Sequence, residues 1–508
     1  MFSKIITGSL FGLDADIVTV EVDLAHGLPC FQVVGLPDAS VRESKERIRA
    51  AIVNSGMKFP AKRITINLSP ANIKKEGTHF DLPIALGIVA SLGYVQTGKI
   101  DGFAFLGELS LDGKVNRIKG ALPIAIGLRS MGIKNIILPV DNVEEVEIIE
   151  DINLFPVESL KQVMDFLNSK FSLNYTGKIF EQKFEDRFAD DFSEVNGQES
   201  VKRAIQIAAA ASHNILMIGP PGSGKSMIAK RIPSILPSLS FEEILEVTKI
   251  YSIAGELTKE MPIVKSRQFR APHHTITRAG LFGGGISPKP GEVTLAHNGV
   301  LYFDELPEFS RMILELLRQP MEDEKITISR ANSTITFPSK FMFVASMNPC
   351  PCGYYGDDNI ACSCKEIQIR NYLSKCSGPL LDRIDMHVDV FPIKYNDMVE
   401  VGNNRSSIEM RQEIENVKLL QEERYNHDDI SYNSQLTQSL MKKYCKLDSK
   451  TNDLLEKAFY KLNLSARAYN KILKISRTIA DLDGKETIGI AHVAEAISYR
   501  SIDKKYFR

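Results

Sequence analysis

The sequence predicts an α/β multidomain protein that ends in an α-helical region. Three observations support this fold class: β-rich and helical runs alternate over residues 1–170, a Gly-rich loop follows a buried strand near residue 219, and strand-like runs stop near residue 395. A chain of 508 residues is also long enough for about two to four separate cores. The predicted segments are an N-terminal domain over 1–170, a linker over 171–190, a second α/β core over 191–395 and a helical domain over 396–508.

The composition is that of an ordinary soluble protein, with 44% hydrophobic and 25% charged residues. The 62 basic and 63 acidic residues give a net charge of −1, so overall charge does not indicate nucleic-acid binding, although a local basic surface stays compatible with it. No apolar run reaches the length of about 18 residues that predicts a membrane span, and the N-terminus lacks the apolar core of a signal peptide. Seven cysteines, an odd number, favour a reducing cytoplasm over a disulfide framework. We therefore expect a cytoplasmic protein that does not enter a membrane.

The N-terminal domain is predicted from short runs that alternate in type. "DIVTVEVDL", "RITINLS" and "NIILPV" are typical of strands because β-branched residues dominate them. "DASVRESKERIRAAIVNSG" predicts a helix that begins at Asp38 or Ser40 and ends before Gly56. "DLPIALGIVASLG" predicts a second, largely buried helix. These runs together predict an α/β domain with its own hydrophobic core.

A phosphate-binding loop, the Walker A loop, is predicted at "GPPGSGKS" between a strand-like run and a helical run. Glycines allow backbone N–H groups to turn toward phosphate, and the following helix adds the positive end of its dipole. Lys225 is expected to contact the β- and γ-phosphates of ATP, and the Ser226 hydroxyl is expected to bind Mg²⁺. The residues predicted to hold the nucleotide are Gly219, Pro220, Pro221, Gly222, Ser223, Gly224, Lys225 and Ser226.

Polar side chains at two later strand ends are predicted to complete this site. The apolar run "VLYFDE" ends in Asp304, which is expected to hold the Mg²⁺ shell, and in Glu305, which is expected to polarise the attacking water. The run "FMFVASMN" ends in Asn348, whose side chain is expected to orient this water near the γ-phosphate. The three residues, placed after a Walker A loop, predict ATP hydrolysis.

Two arginines are predicted to act on the γ-phosphate. Arg383 in "SGPLLDRIDMHVDV" is placed to reach the ATP of a neighbouring subunit as an arginine finger, and an ordinary aspartate–arginine surface pair is the alternative. Arg467 lies on a helical run of the C-terminal region and is expected to contact the γ-phosphate when this region closes as a lid. Arg477 is the alternative for this role, and a solvated arginine is the other interpretation.

A cluster of cysteines follows Asn348 and forms two Cys-x-Cys pairs. The cysteines are Cys350, Cys352, Cys362 and Cys364. Four thiolates fit a closed tetrahedral site, so we predict a structural Zn²⁺ in the insertion 350–364, with Cys376 as a substitute ligand of poorer spacing. A redox role and unligated loop cysteines are the alternatives. A catalytic metal is disfavoured because four thiolates leave no open coordination position.

Taken together, the chain resembles the YifB/ComM family of magnesium-chelatase-like AAA+ ATPases from end to end. The segment 269–309, with "APHHTITRAGLFGGGISPKPGE", and the run "EKITISRANSTITFPSKFMFVASMNPCPCGYYGD" carry the resemblance in the core. This resemblance implies a Lon-protease-like N-terminal domain of the ribosomal S5 domain 2-like class, a P-loop AAA+ core and an α-helical C-terminal lid.

The N-terminal resemblance also contains a departure from the Lon pattern. "KKEGTHFDLPIAL" aligns with the loop that presents the nucleophilic serine in Lon-type proteases, and His79 occupies that place here. "GELSLDGKVNRIKGALPIA" aligns with the segment that supplies the lysine, and Leu122 occupies that place. A Ser–Lys dyad needs a hydroxyl and an amine, so we expect this domain to be proteolytically inactive and to serve assembly or a protein partner.

The resemblance implies an ATP-driven motor that acts on DNA, a branch-migration helicase that supports recombination and natural transformation. In a hexameric ring of identical chains, Arg278, Lys289 and Arg330 on two insertions would face the channel and contact single-stranded or branched DNA, with solvated loop cations as the alternative. A second function is a magnesium-chelatase-type ATPase subunit for metal insertion into a porphyrin. A third is a protein-remodelling regulator that acts through the N-terminal domain.

Overall fold

A computed structural model describes residues 1–172, 188, 190–285, 288–330, 333–357, 360–392 and 404–507 of the chain. The predicted linker 171–190 and the predicted boundary near residue 395 lie largely outside these residues. Within the described ranges, no helix is long and apolar enough to cross a membrane.

The first 172 residues form a seven-stranded sheet with helices packed against it. Its strand order is β3-β4-β2-β1-β5-β8-β9, in which β2 runs antiparallel to β1 and β4, and the other neighbours are parallel. The elements are β1 (Phe2–Phe11), β2 (Asp14–Ala25), β3 (Cys30–Val34), α1 (Ala39–Asn54), β4 (Arg63–Ser69), α2 (Asp81–Ser91), β5 (Phe103–Phe105), β6 (Glu108–Leu109), β7 (Val115–Asn116), α3 (Ala121–Ser130), β8 (Asn135–Pro139), α4 (Val143–Val146), β9 (Asn153–Val157) and α5 (Leu160–Leu167).

Local chemistry explains why these elements begin and end where they do. Alternate residues of β2, among them Val18 and Val20, are buried, as expected for a strand that packs one face on a core. Of the two predicted caps of α1, the structure selects Asp38, whose carboxylate accepts a 2.8 Å hydrogen bond from the Val41 N–H. The helix α2 is buried along its whole length, in agreement with its apolar sequence.

The remainder of the described chain contains the second sheet and most of the helices. In chain order its elements are α6 (Glu199–Ala211), β10 (Ile215–Ile218), α7 (Lys225–Ile235), α8 (Phe241–Ala254), β11 (Phe269–Arg270), α9 (Arg278–Phe282), α10 (Glu292–Leu295), β12 (Val300–Phe303), α11 (Arg311–Leu316), α12 (Arg318–Asp323), β13 (Lys325–Arg330), β14 (Ser333–Pro338), β15 (Met342–Met347), α13 (Glu366–Leu373), α14 (Gly378–Leu381), β16 (Met386–Asp389), α15 (Ser407–Arg424), α16 (Gln438–Tyr444), α17 (Ser449–Leu462), α18 (Ala466–Leu482) and α19 (Ile490–Tyr506).

A five-stranded parallel sheet is the centre of this second part. Its order is β11-β12-β15-β10-β16, and the strands β10, β12 and β15 are completely buried. Ile218 pairs with Met347 and with Asp389, so the carboxyl ends of β10, β15 and β16 meet at one edge of the sheet. Ligands of open parallel sheets bind at this edge, because the loops that follow the strands converge there.

The described residues divide into two compact units. The first unit comprises Met1–Phe184, Phe241–Val264 and Ser329–Ile335, and the second comprises Glu185–Ser240, Lys265–Ile328 and Thr336–Arg508. In the second unit the C-terminal helices share one hydrophobic core with the sheet.

One helix that the sequence places in the second α/β core packs elsewhere. The helix α8 lies in the first unit, where it packs against α3 and the Ser252 carbonyl accepts a 3.1 Å hydrogen bond from the Gly120 N–H. Apolar residues of α8, such as Val247 and Tyr251, are almost fully buried there. The predicted bounds 191–395 include this segment, but sequence position alone contains no information on which sheet a helix covers.

Candidate active site

The Walker A loop leaves the carboxyl end of β10 and leads directly into α7. Gly224 precedes the helix with φ of 87°, a left-handed conformation that glycine adopts without strain. The helix then begins at Lys225, so that its first N–H groups lie at the end of the loop. This strand–loop–helix order is the context in which the motif binds phosphate.

The Lys225 ammonium group lies inside the loop rather than in solvent. Its Nζ donates to Gly219 O and Pro220 O, both at 2.8 Å, and lies 3.2 Å from Asn348 Oδ1. Burial lowers the pKa of Lys225, while the nearby carboxylates of Asp304 and Glu305 act in the opposite direction. The structure therefore brings Lys225 and Asn348, predicted from separate motifs, into direct contact.

Asp304 follows β12 and is surrounded by hydroxyl groups. Its Oδ2 accepts a 2.9 Å hydrogen bond from Ser226 Oγ, its Oδ1 accepts one of 2.9 Å from Tyr302 OH, and Ser346 Oγ donates to the same Oδ1. Burial raises the pKa of Asp304, but the hydrogen bonds from Ser346, Ser226 and Tyr302 outweigh it and leave the pKa below its ordinary value. The result is an ionised carboxylate beside a serine hydroxyl, a pair of oxygen ligands that fits Mg²⁺.

Tyr302 and Ser346 were not predicted from the sequence. Each carries a hydroxyl within an apolar strand, two residues before a predicted site residue, and side chains at this spacing lie on the same face of a strand. A hydroxyl residue in an otherwise apolar strand, two positions before a predicted site residue, is therefore the sequence signal that could have identified Tyr302 and Ser346.

Glu305 lies beside this pair with its side chain accessible to solvent. Its φ of 52° is in the left-handed region, and its N–H group lies 3.1 Å from Asp304 Oδ1 and 3.3 Å from Ser346 Oγ. These two contacts hold the backbone in a conformation that is unusual for a non-glycine residue.

Arg383 and Arg467 line one cavity of about 560 Å³ at the opposite edge of the sheet. Asn214 and Phe341, which precede β10 and β15, line the same cavity, so it lies at the amino ends of the strands. The structure therefore places Arg467 away from the Walker A loop of its own chain, and its contact with a γ-phosphate stays a prediction. The reason is that α18 begins at this far edge, where Arg467 Nη1 lies 3.7 Å from a carboxylate oxygen of Asp382.

The two other arginines each contact a carboxylate within the chain. Arg383 is only 12% exposed in its side chain, and its Nη2 lies 2.6 Å from Glu322 Oε1. Arg477 is buried, and its Nε donates a 3.0 Å hydrogen bond to the carboxylate of Asp481. Arg477 is therefore a structural residue of the helical region rather than a side chain available to a nucleotide.

The four cysteines of the predicted zinc insertion come together in space. The Sγ atoms of Cys350 and Cys352 are 3.3 Å apart, those of Cys350 and Cys362 are 3.7 Å apart, and those of Cys352 and Cys362 are 3.5 Å apart. All four Sγ atoms, including that of Cys364, lie within 4.8 Å of one another. Cys376 is not in this cluster and is buried in a hydrophobic core instead.

The four thiols differ in their pKa: that of Cys352 is lowered, whereas those of Cys350, Cys362 and Cys364 are raised. Burial raises the pKa of Cys352, but hydrogen bonds from backbone N–H groups, among them that of Tyr354, lower it to about 5. The Cys352 N–H in turn donates to Cys364 Sγ at 3.4 Å. Such N–H donors compensate negative charge on sulfur, which is the ligand form that zinc requires.

The DNA-contact candidates are only partly described. Arg278, at the start of α9, and Lys289 are both exposed. Arg330 ends β13, and its side chain lies outside the described part of the structure. The hairpin of β13 and β14 itself is present, with Thr327 and Thr336 hydroxyls 3.2 Å apart across the strands.

The two positions that depart from the Lon pattern are buried in the first unit. His79 is 3% exposed and donates a 2.9 Å hydrogen bond from Nε2 to Gly8 O. Burial lowers its pKa to about 4. Leu122 is completely buried in α3. Both residues therefore have a packing role that explains their presence.

Comparison with known proteins agrees with this architecture. Three family profiles match in succession: "Subunit ChlI of Mg-chelatase" over residues 20–142, "Magnesium chelatase, subunit ChlI" over 191–398 and "Magnesium chelatase, subunit ChlI C-terminal" over 404–500. Competence protein ComM of Haemophilus influenzae is 41% identical over 97% of this chain and 96% of its own length. The uncharacterized proteins YifB of Escherichia coli and Salmonella typhimurium are 40% and 38% identical, each over 98% of this chain and 97% of the relative.

The parallel sheet, the Walker A loop and the three matched segments define a magnesium-chelatase-like AAA+ architecture. Within this class, the chain belongs to the YifB/ComM family. The class is one of ATPases, and it implies ATP and Mg²⁺ as the ligands of the site described above.

Proposed function

We propose that the protein is an ATP-hydrolysing AAA+ motor that acts on DNA as a branch-migration helicase in recombination and natural transformation. The observation that carries the ATPase part is the contact between Lys225, Asn348, Ser226 and Asp304 at one edge of the parallel sheet. The DNA part is supported by the 41% identity to competence protein ComM over nearly the whole chain.

In the proposed site, ATP lies along Gly219–Ser226 with its phosphates at the start of α7. Lys225 donates to two backbone carbonyls in the loop, and these contacts are the ones that phosphate oxygens would replace. Ser226 and Asp304 would hold Mg²⁺, which neutralises phosphate charge when bound. Their 2.9 Å separation and the ionised state of Asp304 fit this role.

Two further side chains have proposed roles in hydrolysis. Glu305 polarises the attacking water, which its solvent-accessible side chain at the end of β12 allows. Asn348 uses one amide atom to hold Lys225 and has the other available to orient the water.

We propose that the active assembly is a hexameric ring in the cytoplasm. Arg383 and Arg467 lie at the edge of the sheet opposite their own Walker A loop, so a γ-phosphate within their reach would belong to a neighbouring subunit. Arg278, Lys289 and Arg330 are the proposed contacts to single-stranded or branched DNA in the channel.

The proposed domain roles follow from the same assignment. Residues 1–170 are a proteolytically inactive Lon-like domain available to a protein partner, in keeping with the buried His79 and Leu122. Residues 191–395 are the ATPase core and 396–508 the lid. The insertion 350–364 binds structural Zn²⁺ through its four cysteines, as their sulfur geometry suggests.

The test is ATP turnover at low salt without DNA, with single-stranded DNA and with a four-way junction, followed by a branch-migration measurement on the junction. We expect DNA to stimulate turnover and junction migration to require ATP, while the Lys225→Ala variant shows neither. A protein that hydrolyses ATP but neither binds DNA nor responds to it contradicts the motor. Turnover that depends on a porphyrin would instead favour a magnesium-chelatase-type subunit, and turnover that depends on a protein partner would favour a remodelling regulator.

A further inference from the structure

The cysteine cluster has the dimensions of a metal-bound tetrahedron. A zinc–sulfur bond of about 2.3 Å places neighbouring sulfurs of a tetrahedron about 3.8 Å apart. Three sulfur separations in the cluster, among Cys350, Cys352 and Cys362, are 3.3, 3.5 and 3.7 Å, and they are far too long for disulfide bonds of about 2.05 Å. The described part of the insertion thus already has its sulfurs at ligand spacing.

The turn that follows Cys352 lies directly against the Walker A loop. Gly353 has φ of 89°, and a Cβ atom added to it would lie 2.3 Å from Pro221 Cδ. No side chain fits at this distance, so the backbone of the turn is in close contact with the proline of the phosphate-binding loop.

A second connection joins the same two elements. The strand β15 ends immediately before the cysteines, and its last carbonyl, Met347 O, accepts a 3.2 Å hydrogen bond from the Gly219 N–H. The next residue, Asn348, contacts Lys225. The segment that carries Cys350 and Cys352 therefore contacts the Walker A loop at two places, Gly219 and Pro221.

The turn is closed by a 3.0 Å hydrogen bond from the Gly353 N–H to Cys350 O, but the described insertion buries few apolar side chains. Cys350 is buried, whereas the other three cysteines are only half-buried and the neighbouring Tyr355 is exposed. A short irregular segment with so little apolar burial gains its order from a cross-link, and a metal with four protein ligands provides one.

We propose that Zn²⁺ bound by the four cysteines fixes the turn at Gly353 and that this turn supports the Walker A loop at Pro221, so that ATP binding depends on the zinc. This inference rests on the proposed ATP and zinc sites. The zinc has no part in the chemistry, because four thiolates leave it no open position. The zinc acts only on structure: it holds the turn at Gly353 against Pro221 of the phosphate-binding loop.

The experiment compares Gly353→Ala with Gly356→Ala in the full-length protein. Both glycines have positive φ, 89° and 78°, so both variants carry similar backbone strain. Only at position 353 does the new methyl group meet Pro221; at 356 the nearest atom, Lys505 Cε, lies at an ordinary contact distance of 3.6 Å. Zinc content by elemental mass spectrometry and ATP affinity with a fluorescent analogue are measured for each protein.

We expect one zinc per chain in the parent protein and in both glycine variants. The methyl group at 353 requires a displacement of about 1 Å, and binding sites tolerate only about 0.5 Å, so ATP affinity should fall about tenfold in Gly353→Ala. It should stay within about twofold in Gly356→Ala. Removal of zinc with a selective chelator, with Mg²⁺ maintained, should weaken ATP binding, and re-addition of zinc should restore it.

The outcomes separate this inference from the assignments it rests on. A protein that binds ATP but contains no zinc, or contains iron instead, overturns the zinc site. A zinc-containing protein whose ATP affinity is unaffected by Gly353→Ala and by reversible zinc removal overturns the support of the Walker A loop while the zinc site stands. Failure of the parent protein to bind ATP contradicts the proposed function itself. The Cys362→Ser/Cys364→Ser variant, if folded by circular dichroism, must lose both zinc and ATP affinity.

Discussion

Replacement of Arg477 by alanine tests whether this arginine stabilises the helical region or contacts a nucleotide. In the structure its side chain is 3% exposed and forms a 2.9 Å ion pair with Asp481. Its Nη1 and Nη2 also donate to Glu486 O and Lys485 O, each at 2.6 Å. Arg424 pairs with the other side of the Asp481 carboxylate, which is itself completely buried.

The expected cost follows from the groups left without partners. Alanine at position 477 removes the donors to the Glu486 and Lys485 carbonyls and one of two arginines from a buried carboxylate, and breaking a buried ion pair typically costs about 3–5 kcal/mol. We expect the free energy of unfolding of the second unit to fall by about this amount. Because the chain contains no tryptophan, urea unfolding followed by far-UV circular dichroism is the suitable assay.

Arg467→Ala is the matched comparison on the same helix. The Arg467 side chain is 63% exposed, and its replacement removes only a 3.7 Å ion pair with Asp382. The free energy of unfolding should therefore change by less than about 0.5 kcal/mol. Turnover, in contrast, should fall with ATP binding retained. An Arg477→Ala variant with unchanged unfolding and abolished turnover would refute this reasoning and exchange the two roles.

Three further predictions concern single residues. Glu305→Gln should keep ATP affinity and lose about 100-fold or more in turnover, because the amide cannot accept a proton from water; turnover near the parent rate in a phosphate-release assay would remove Glu305 from this role. Arg383→Ala should retain ATP binding per chain and lose about 1,000-fold in turnover, as for other arginine fingers, and full activity would place the finger elsewhere. His79 has a folded-state pKa of about 4 because of burial, so the folded state binds fewer protons than the unfolded state, and stability is lost as the pH falls from about 6.5 to about 4. Relative to His79→Gln, the protein should lose about 3 kcal/mol of unfolding free energy over this range in urea titrations; a constant difference would contradict a buried neutral ring.

The comparison with His79→Gln is needed because the titration of Asp81 changes the free energy of unfolding in the opposite direction. Burial raises the pKa of this carboxyl to about 6, although the hydrogen bond and the positive charge of Arg47 act to lower it. Its folded state holds a proton more readily, so its contribution favours stability as the pH falls through this value. The two effects partly cancel in the parent protein, and only the difference between two proteins isolates the histidine.

The sequence by itself determined the features that depend on neighbouring residues. The Walker A loop and the start of α1, at Asp38 or Ser40, are encoded in a few consecutive residues, because backbone conformation and local hydrogen bonds depend on near neighbours. The buried strands β10, β12 and β15 follow from their apolar runs for the same reason.

Only the tertiary structure decided which distant groups meet. It placed Tyr302 and Ser346 on the Asp304 carboxylate, α8 on the first unit and Arg467 at the edge opposite the Walker A loop. Sequence periodicity shows that a face is buried but not what covers it, since this depends on how strands far apart in the chain align. The contact of Gly353 with Pro221 is of the same kind: each residue suits its own turn, and only the folded sheet brings the two turns together.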